Sequence, residues 1–324
     1  MDTRKIFFGE SLSLCFLLLS GCAVYLPQSA AILKELPANF PKEVELKKVP
    51  FFPQEKYQCG PASLAMAIKD AGVHITDKEL VSQVYLPARK GSLQVEMLAA
   101  TRRHGLLAYE IEPRLTDLLA EIAAGTPVIV LENYSYGLGP LWHYSVAIGY
   151  SLQDERIIRR SGKNAFESMP FAAFEYLWKS DGRWGMVVLP PGKIPATATE
   201  SRYVKAVMAL ENSGQIESAY KSYKALLQRW PNNSLGLLGL GNTAYQLKNF
   251  DEALLAFSTL TLLDPTSVAA LNNLAQTHAE LGNLDSAVRA AEQAVSLGGS
   301  LVEISRATLN EIQIKISTST LQAN

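Results

Sequence analysis

The sequence is poor in cysteine, with three in 324 residues, at positions 15, 22 and 59. That excludes a disulfide-stapled scaffold. Excess charge is also missing: 30 basic residues stand against 31 acidic ones, for a formal net charge of -1. There is no polybasic run, so neither nucleic acid nor an anionic lipid surface is an expected partner. The four histidines, at positions 74, 104, 143 and 278, are scattered. No spacing of His, Cys, Asp or Glu suits a metal ion, and no cofactor is expected. Gly137-Leu138-Gly139-Pro140 lacks the lysine and the strand-to-helix setting of a phosphate loop, and reads as a plain loop before a strand. What is present is a globular composition, 48% apolar and 19% charged, in a chain long enough for two domains.

The first 22 residues read as an address. Arg4 and Lys5 precede an apolar core from Leu12 to Leu19, too short for a stable membrane span. The stretch closes on Leu19-Ser20-Gly21-Cys22, which resembles the lipobox of bacterial lipoproteins. That resemblance implies a signal peptide over residues 1–21, a lipid on Cys22 and a membrane anchor. With Ala23 rather than Asp following, it implies the outer membrane, facing the periplasm. Cys15 then leaves with the signal and Cys22 is blocked. Cys59 remains as a lone thiol in an oxidising compartment, either buried and inert or kept for reactivity.

Residues 22–48, with Pro27, Pro37 and Pro41 and little periodicity, read as a tether. Residues 49–189 read as α+β. Helices are expected over 59–71, 78–84 with Thr76 or Asp77 as cap, 93–104 and 115–124. Strands are expected over 128–131, 143–150, 155–160 and 184–189, forming an antiparallel sheet. Residues 190–199 have the Pro-rich composition of a linker.

From residue 200 the chain is helical and repetitive. Ala219, Ala253 and Ala287 are spaced by 34, as are Pro231 and Pro265, and Tyr223 and Phe257 keep the same register. Gly241 and Ala275 fill a small-residue position. The pattern resembles the tetratricopeptide repeat, a helix-turn-helix unit of that period. Three repeats and a solvating helix are expected over 200–316, an all-α solenoid, followed by a tail over 317–324. Such stacks present a concave groove. Asn242 and Asn273 are expected there, with amides offered to a protein partner.

The chemistry centres on Gln54-Glu55-Lys56-Tyr57-Gln58-Cys59-Gly60-Pro61-Ala62-Ser63. Cys59 stands where an irregular segment becomes a helix. Pro61 suits a first helical turn, and the dipole and free amides of a helix start favour thiolate. His143 opens the strand Trp142-His143-Tyr144-Ser145-Val146-Ala147-Ile148-Gly149-Tyr150, a rigid mount for a general base. These two blocks, in this order and about 80 residues apart, resemble the papain-fold cysteine peptidases of the bacteriocin-processing type. The resemblance implies Cys59 as nucleophile, His143 as base and Gln54, five residues before Cys59, as oxyanion donor. Where that family commonly carries an acidic third member, this chain has Ser161 in Arg159-Arg160-Ser161-Gly162-Lys163-Asn164, with Asn164 or Asp154 as loop-borne substitutes. A serine accepts a hydrogen bond but carries no charge to stabilise imidazolium.

The resulting expectation is a papain-like cysteine peptidase domain joined to tetratricopeptide repeats. It would be a lipid-anchored envelope hydrolase that cleaves a peptide or protein substrate and docks a protein partner through its repeats. Two alternatives stand beside it: an inactive peptidase-like adaptor that binds peptide, and acyl transfer such as amidase or transpeptidase work by the same pair. The lipobox predicts that labelled palmitate is incorporated into the native protein and not into Cys22→Ser. A native protein that takes up no label would contradict the anchor.

Overall fold

The computed structural model describes residues 26–135 and 139–323. Met1–Gly21 and the lipobox Cys22 lie outside the described residues. The N-terminal part is built on one antiparallel sheet. Its strands are β1 (Glu43–Glu45), β2 (Leu107–Glu110), β3 (Val128–Asn133), β4 (Trp142–Ser151), β5 (Arg156–Ser161), β6 (Asn164–Pro170) and β7 (Gly185–Leu189). They run in the order β2-β7-β3-β4-β5-β6, and β1 pairs with β4 beyond the end of β3.

Both faces of the sheet are covered, which explains apolar runs such as Val128–Leu131 in a sheet whose pairing is antiparallel. On one face lie α2 (Cys59–Asp70), α3 (Asp77–Val84) and α4 (Gln94–Arg103), and Leu64 and Ile68 share a core with Ile129, Val146 and Ile148. On the other lie α1 (Pro27–Glu35), α5 (Leu115–Ala123) and α6 (Phe171–Trp178), with Leu118 and Trp178 packed against Val128 and Val187. Thr76 caps α3 through a capping box with Glu79, satisfying first-turn amides at both residues.

Two expectations are corrected here. The tether is folded from residue 27 onward. The first amides of α1, on Gln28 and Ser29, donate to the buried Glu175 carboxylate at 3.3 and 2.7 Å, and Ile32 is buried in the core. A short helix tied down by a distant carboxylate leaves only a weak periodic signal. The Pro-rich segment 190–199 is likewise no free spacer. The amides of Ala196 and Thr197 and the Thr197 hydroxyl all donate to Glu121, at 3.2, 2.8 and 2.6 Å. The Tyr109 hydroxyl donates to Thr197 O and accepts from Thr199 N–H.

After it come seven helices: α7 (Glu200–Asn212), α8 (Ile216–Arg229), α9 (Ser234–Gln246), α10 (Phe250–Leu263), α11 (Val268–Glu280), α12 (Leu284–Leu297) and α13 (Val302–Ala323). They form three antiparallel pairs and a terminal helix that continues through most of the expected tail. The small-residue positions have a direct reason. A Cβ on Gly241 would fall 2.4 Å from the Phe257 ring, so the aromatic of the second helix sits on the backbone of the first. Asn273 donates to Asn242 Oδ1 at 2.9 Å, so these amides satisfy each other.

The core is continuous across the junction. Tyr203, Val204, Val207 and Leu210 of α7 belong to one apolar cluster with Leu115, Leu118 and Leu189, and Arg202 pairs with Glu112. A linker over 190–199 implies two parts that fold independently; the shared core couples them instead. A chain ending after Pro195 should therefore melt well below the full-length protein and bind a hydrophobic dye. An unchanged melting temperature would restore the independent-domain reading.

Candidate active site

Cys59 is the first residue of α2. The chain enters it through Tyr57, whose φ of 66° is left-handed and unusual for a residue with a side chain. Pro61 lies within the first turn, where a missing amide costs nothing. Gly60 is required: a Cβ there would fall 2.3 Å from Ser92 Oγ. The thiol is half-buried. Burial pushes it up, against the backbone amides of Tyr144, Gly60 and Cys59 itself, which approach the sulfur as donors and pull it down. The net direction is upward. The thiolate expected from the helix start is thus outweighed by desolvation, a correction to the sequence reading.

His143 is the second residue of β4, directly before the Tyr144 whose amide faces the thiol. Its Nε2 lies 3.0 Å from Ser161 Oγ at the end of β5. Of the three candidates for third member, Ser161 is the one placed at the imidazole. Asp154 sits in the turn at the far end of β4, accepting from Ser151, and Asn164 opens β6 on the exposed side. Burial and then the charge of Arg159 push His143 down to about 4, with Glu167 pulling the other way. Thiol and imidazole are therefore both neutral near pH 7.

Gln54 lies inside this site, but its hydrogen bonds point to a bracing role. Its Nε2 donates to Ser63 Oγ and to Tyr144 O, both at 3.1 Å, and its Oε1 accepts from Gly162 N–H at 3.0 Å. Its backbone amide donates to Gly162 O at 2.9 Å. Both side-chain amide hydrogens are engaged, which leaves the amides of Cys59 and Gly60 as the donors at the helix start. Gln54 instead joins the residue after Cys59's first turn, the residue after His143 and the residue after Ser161.

Several neighbours were not singled out from sequence. Tyr134 meets the His143 ring edge-on, with centroids 5.5 Å apart. Arg159 and Glu132, both fully buried, form an ion pair, and Ser145 Oγ donates to Glu132 at 2.7 Å. The available signal was a charge inside each of two apolar strands: Val128-Ile129-Val130-Leu131-Glu132 and Ile157-Ile158-Arg159. Among the described residues no group of three or more His, Cys, Asp or Glu could hold a metal ion.

Comparison with known proteins agrees with this division. Residues 46–186 match the model of the Peptidase_C39 like family, and residues 204–266 and 238–300 match that of the tetratricopeptide repeat. No curated protein matches the chain. Similar solved structures include the first tetratricopeptide domain of Spaghetti (RPAP3) bound to an HSP90 peptide, at 16% identity, covering 36% of this chain and 93% of that one, with TM-score 0.34. The Yersinia enterocolitica type III secretion translocator chaperone SycD is 21% identical over 39% of this chain and 90% of its own, with TM-score 0.35. The TPR2B domain of yeast Sti1 is 16% identical over 36% of this chain and 99% of its own, with TM-score 0.35. The chain thus carries a Peptidase_C39-like domain followed by tetratricopeptide repeats.

The electrostatics predict a pH signature. Alkylation of Cys59 by iodoacetamide should keep rising through and beyond the ordinary thiol range, because the thiol is pushed up. A plateau well below pH 8 would contradict it. His143 binds its proton more weakly folded than unfolded, at about 4 against 6.5. Its contribution to stability is complete above about pH 6.5 and lost as pH falls toward about 4.

Proposed function

We propose that this protein is a cysteine peptidase that works from a neutral pair, anchored in the bacterial envelope through Cys22, with its repeats docking a protein partner. The observation that carries the reading is the 3.0 Å hydrogen bond between His143 Nε2 and Ser161 Oγ, in a domain whose nucleophile candidate heads a helix. With the Nε2 proton donated to Ser161, the neutral tautomer leaves Nδ1 bare as the base. Bound substrate places its carbonyl at the start of α2. The sulfur attacks the carbonyl carbon as its proton passes to the imidazole, so no resting thiolate is needed. The oxyanion is met by the Cys59 and Gly60 amides at the positive end of the helix dipole. The imidazolium then protonates the leaving amine, and water, deprotonated by the same ring, hydrolyses the thioester. Ser161 orients the ring but lends no charge, so the imidazolium step is slower than with an acidic partner.

A second reading has its own support. A thiol pushed up and an imidazole pushed down are weak chemistry, and suit a domain that grips a peptide without cutting it. The discriminating experiment is digestion of a peptide library by the delipidated full-length protein. The peptidase reading expects cleavage that falls about 10⁴-fold or more in Cys59→Ala, and less in Ser161→Ala than in His143→Ala. A folded native protein that binds library peptides and cleaves none would establish the adaptor instead.

A further inference from the structure

The buried ion pair behind the site has no part in the chemistry above, yet it connects to the imidazole. Arg159 is fully buried in β5. One arm of its guanidinium pairs with Glu132 on β3. The other donates to the Tyr134 hydroxyl at 2.6 Å and lies 3.2 Å from Glu167 on β6. Tyr134 follows directly on β3, and its own amide donates to Leu141 O at 2.9 Å, just before β4 begins. Its ring stands at 84° to the His143 imidazole, the edge-on arrangement that aromatic pairs favour. Glu132 is also the cross-strand partner of His143, and its second oxygen accepts from Ser145. The chain of contacts therefore runs from a carboxylate through a guanidinium and a phenol to the base.

We propose that Arg159 is a positioning residue for His143: braced by Glu132 and Glu167, it fixes the Tyr134 ring against the imidazole and so holds Nε2 toward Ser161. The inference rests on His143 being the working base of the site. In this arrangement the orienting charge behind the ring is a cation. An acidic third member would steady imidazolium. A guanidinium keeps the resting ring unprotonated, and it opposes the imidazolium that the later step requires. The charged and titratable groups that act on or pack against the imidazole are Arg159 on β5, Glu167 on β6 and Tyr134 after β3; Glu132 on β3 is its cross-strand neighbour, and Cys59 at the start of α2 meets the amide of the adjacent Tyr144. Burial pushes the Glu132 carboxyl up, while Glu132, Tyr134 and Glu167 together raise Arg159 despite its own burial, so the cation is retained. The direction of the His143 shift agrees, since Arg159 acts on it second only to burial.

A structural filler at position 159 would make no mark on the ring's titration, which supplies the test. Histidine-labelled full-length protein is titrated by NMR, with His143 assigned by comparison with His143→Gln. The native ring should remain neutral to about pH 4. The double variant Arg159→Met/Glu132→Gln removes the cation without stranding a buried carboxylate, and should move the midpoint upward by roughly one unit. Arg159→Lys retains the charge but not the two-armed grip. It should keep the midpoint low while the ring loses its single orientation, seen as loss of the Tyr134–His143 cross-peak. Should the double variant fail to fold, Tyr134→Leu at a half-buried site opens the ring to water and should raise the midpoint by itself. A His143 midpoint unchanged in every folded variant would overturn the proposal. None of these readings depends on hydrolysis, so a native protein that cuts no peptide defeats the peptidase reading alone.

Discussion

One side-chain amide holds the candidate site together. Gln54 reaches α2 through Ser63, β4 through Tyr144 and the end of β5 through Gly162, and its backbone adds a further bond to Gly162. Those elements carry Cys59, His143 and Ser161. Where β4 and β5 part company beyond Val146 and Arg160, the Gln54 amide fills the gap that the strand ladder leaves. Each buried amide or carbonyl stranded by its loss would cost about 1–3 kcal/mol. The relative placement of the Cys59 thiol, the His143 imidazole and the Ser161 hydroxyl is braced by that bridge as well as by the direct His143–Ser161 hydrogen bond.

The same burial that makes the bridge strong sets the electrostatics. The thiol rises and the imidazole falls because both are withdrawn from water, and the partial charges at the helix start do not offset it. A preformed ion pair would need charge at both groups. Here the resting state is neutral, and in the proposed mechanism proton transfer belongs to the reaction itself. The N-terminal segment and the repeats add to the enclosure of the sheet. Glu175 anchors the first, and Glu121 together with the α7 side chains anchors the second, so one apolar cluster runs from α1 and the sheet's second face into the repeats.

Much of this was legible in the chain. Helices α2 to α5 and strands β3, β4, β5 and β7 lie within a residue or two of where periodicity and caps placed them, because each pairs an apolar pattern with a stop signal such as Gly105 or Gly125. The repeats were legible because Gly241 and Phe257 recur in register for a steric reason. Strand β6, Asn164–Pro170, was not, since an edge strand with no fully buried residue has no regular inward-facing apolar stripe to detect. The bracing role of Gln54 was invisible because it depends on Ser63, Tyr144 and Gly162, which only the fold brings together. The thiol's direction was misread for a similar reason: a helix start is a local feature, but desolvation is a tertiary one. Glu132 and Arg159 were visible as charges in apolar strands, and their pairing needed the sheet register.

The central claim is that Cys59, with His143 as base, forms a covalent acyl bond to a cleaved peptide. The most direct measurement is the mass of the Cys59-containing fragment of full-length protein, acid-quenched during incubation with a peptide library. The account predicts an acyl adduct on Cys59 that disappears in His143→Ala. A folded native protein that binds the library and never carries that adduct would contradict it.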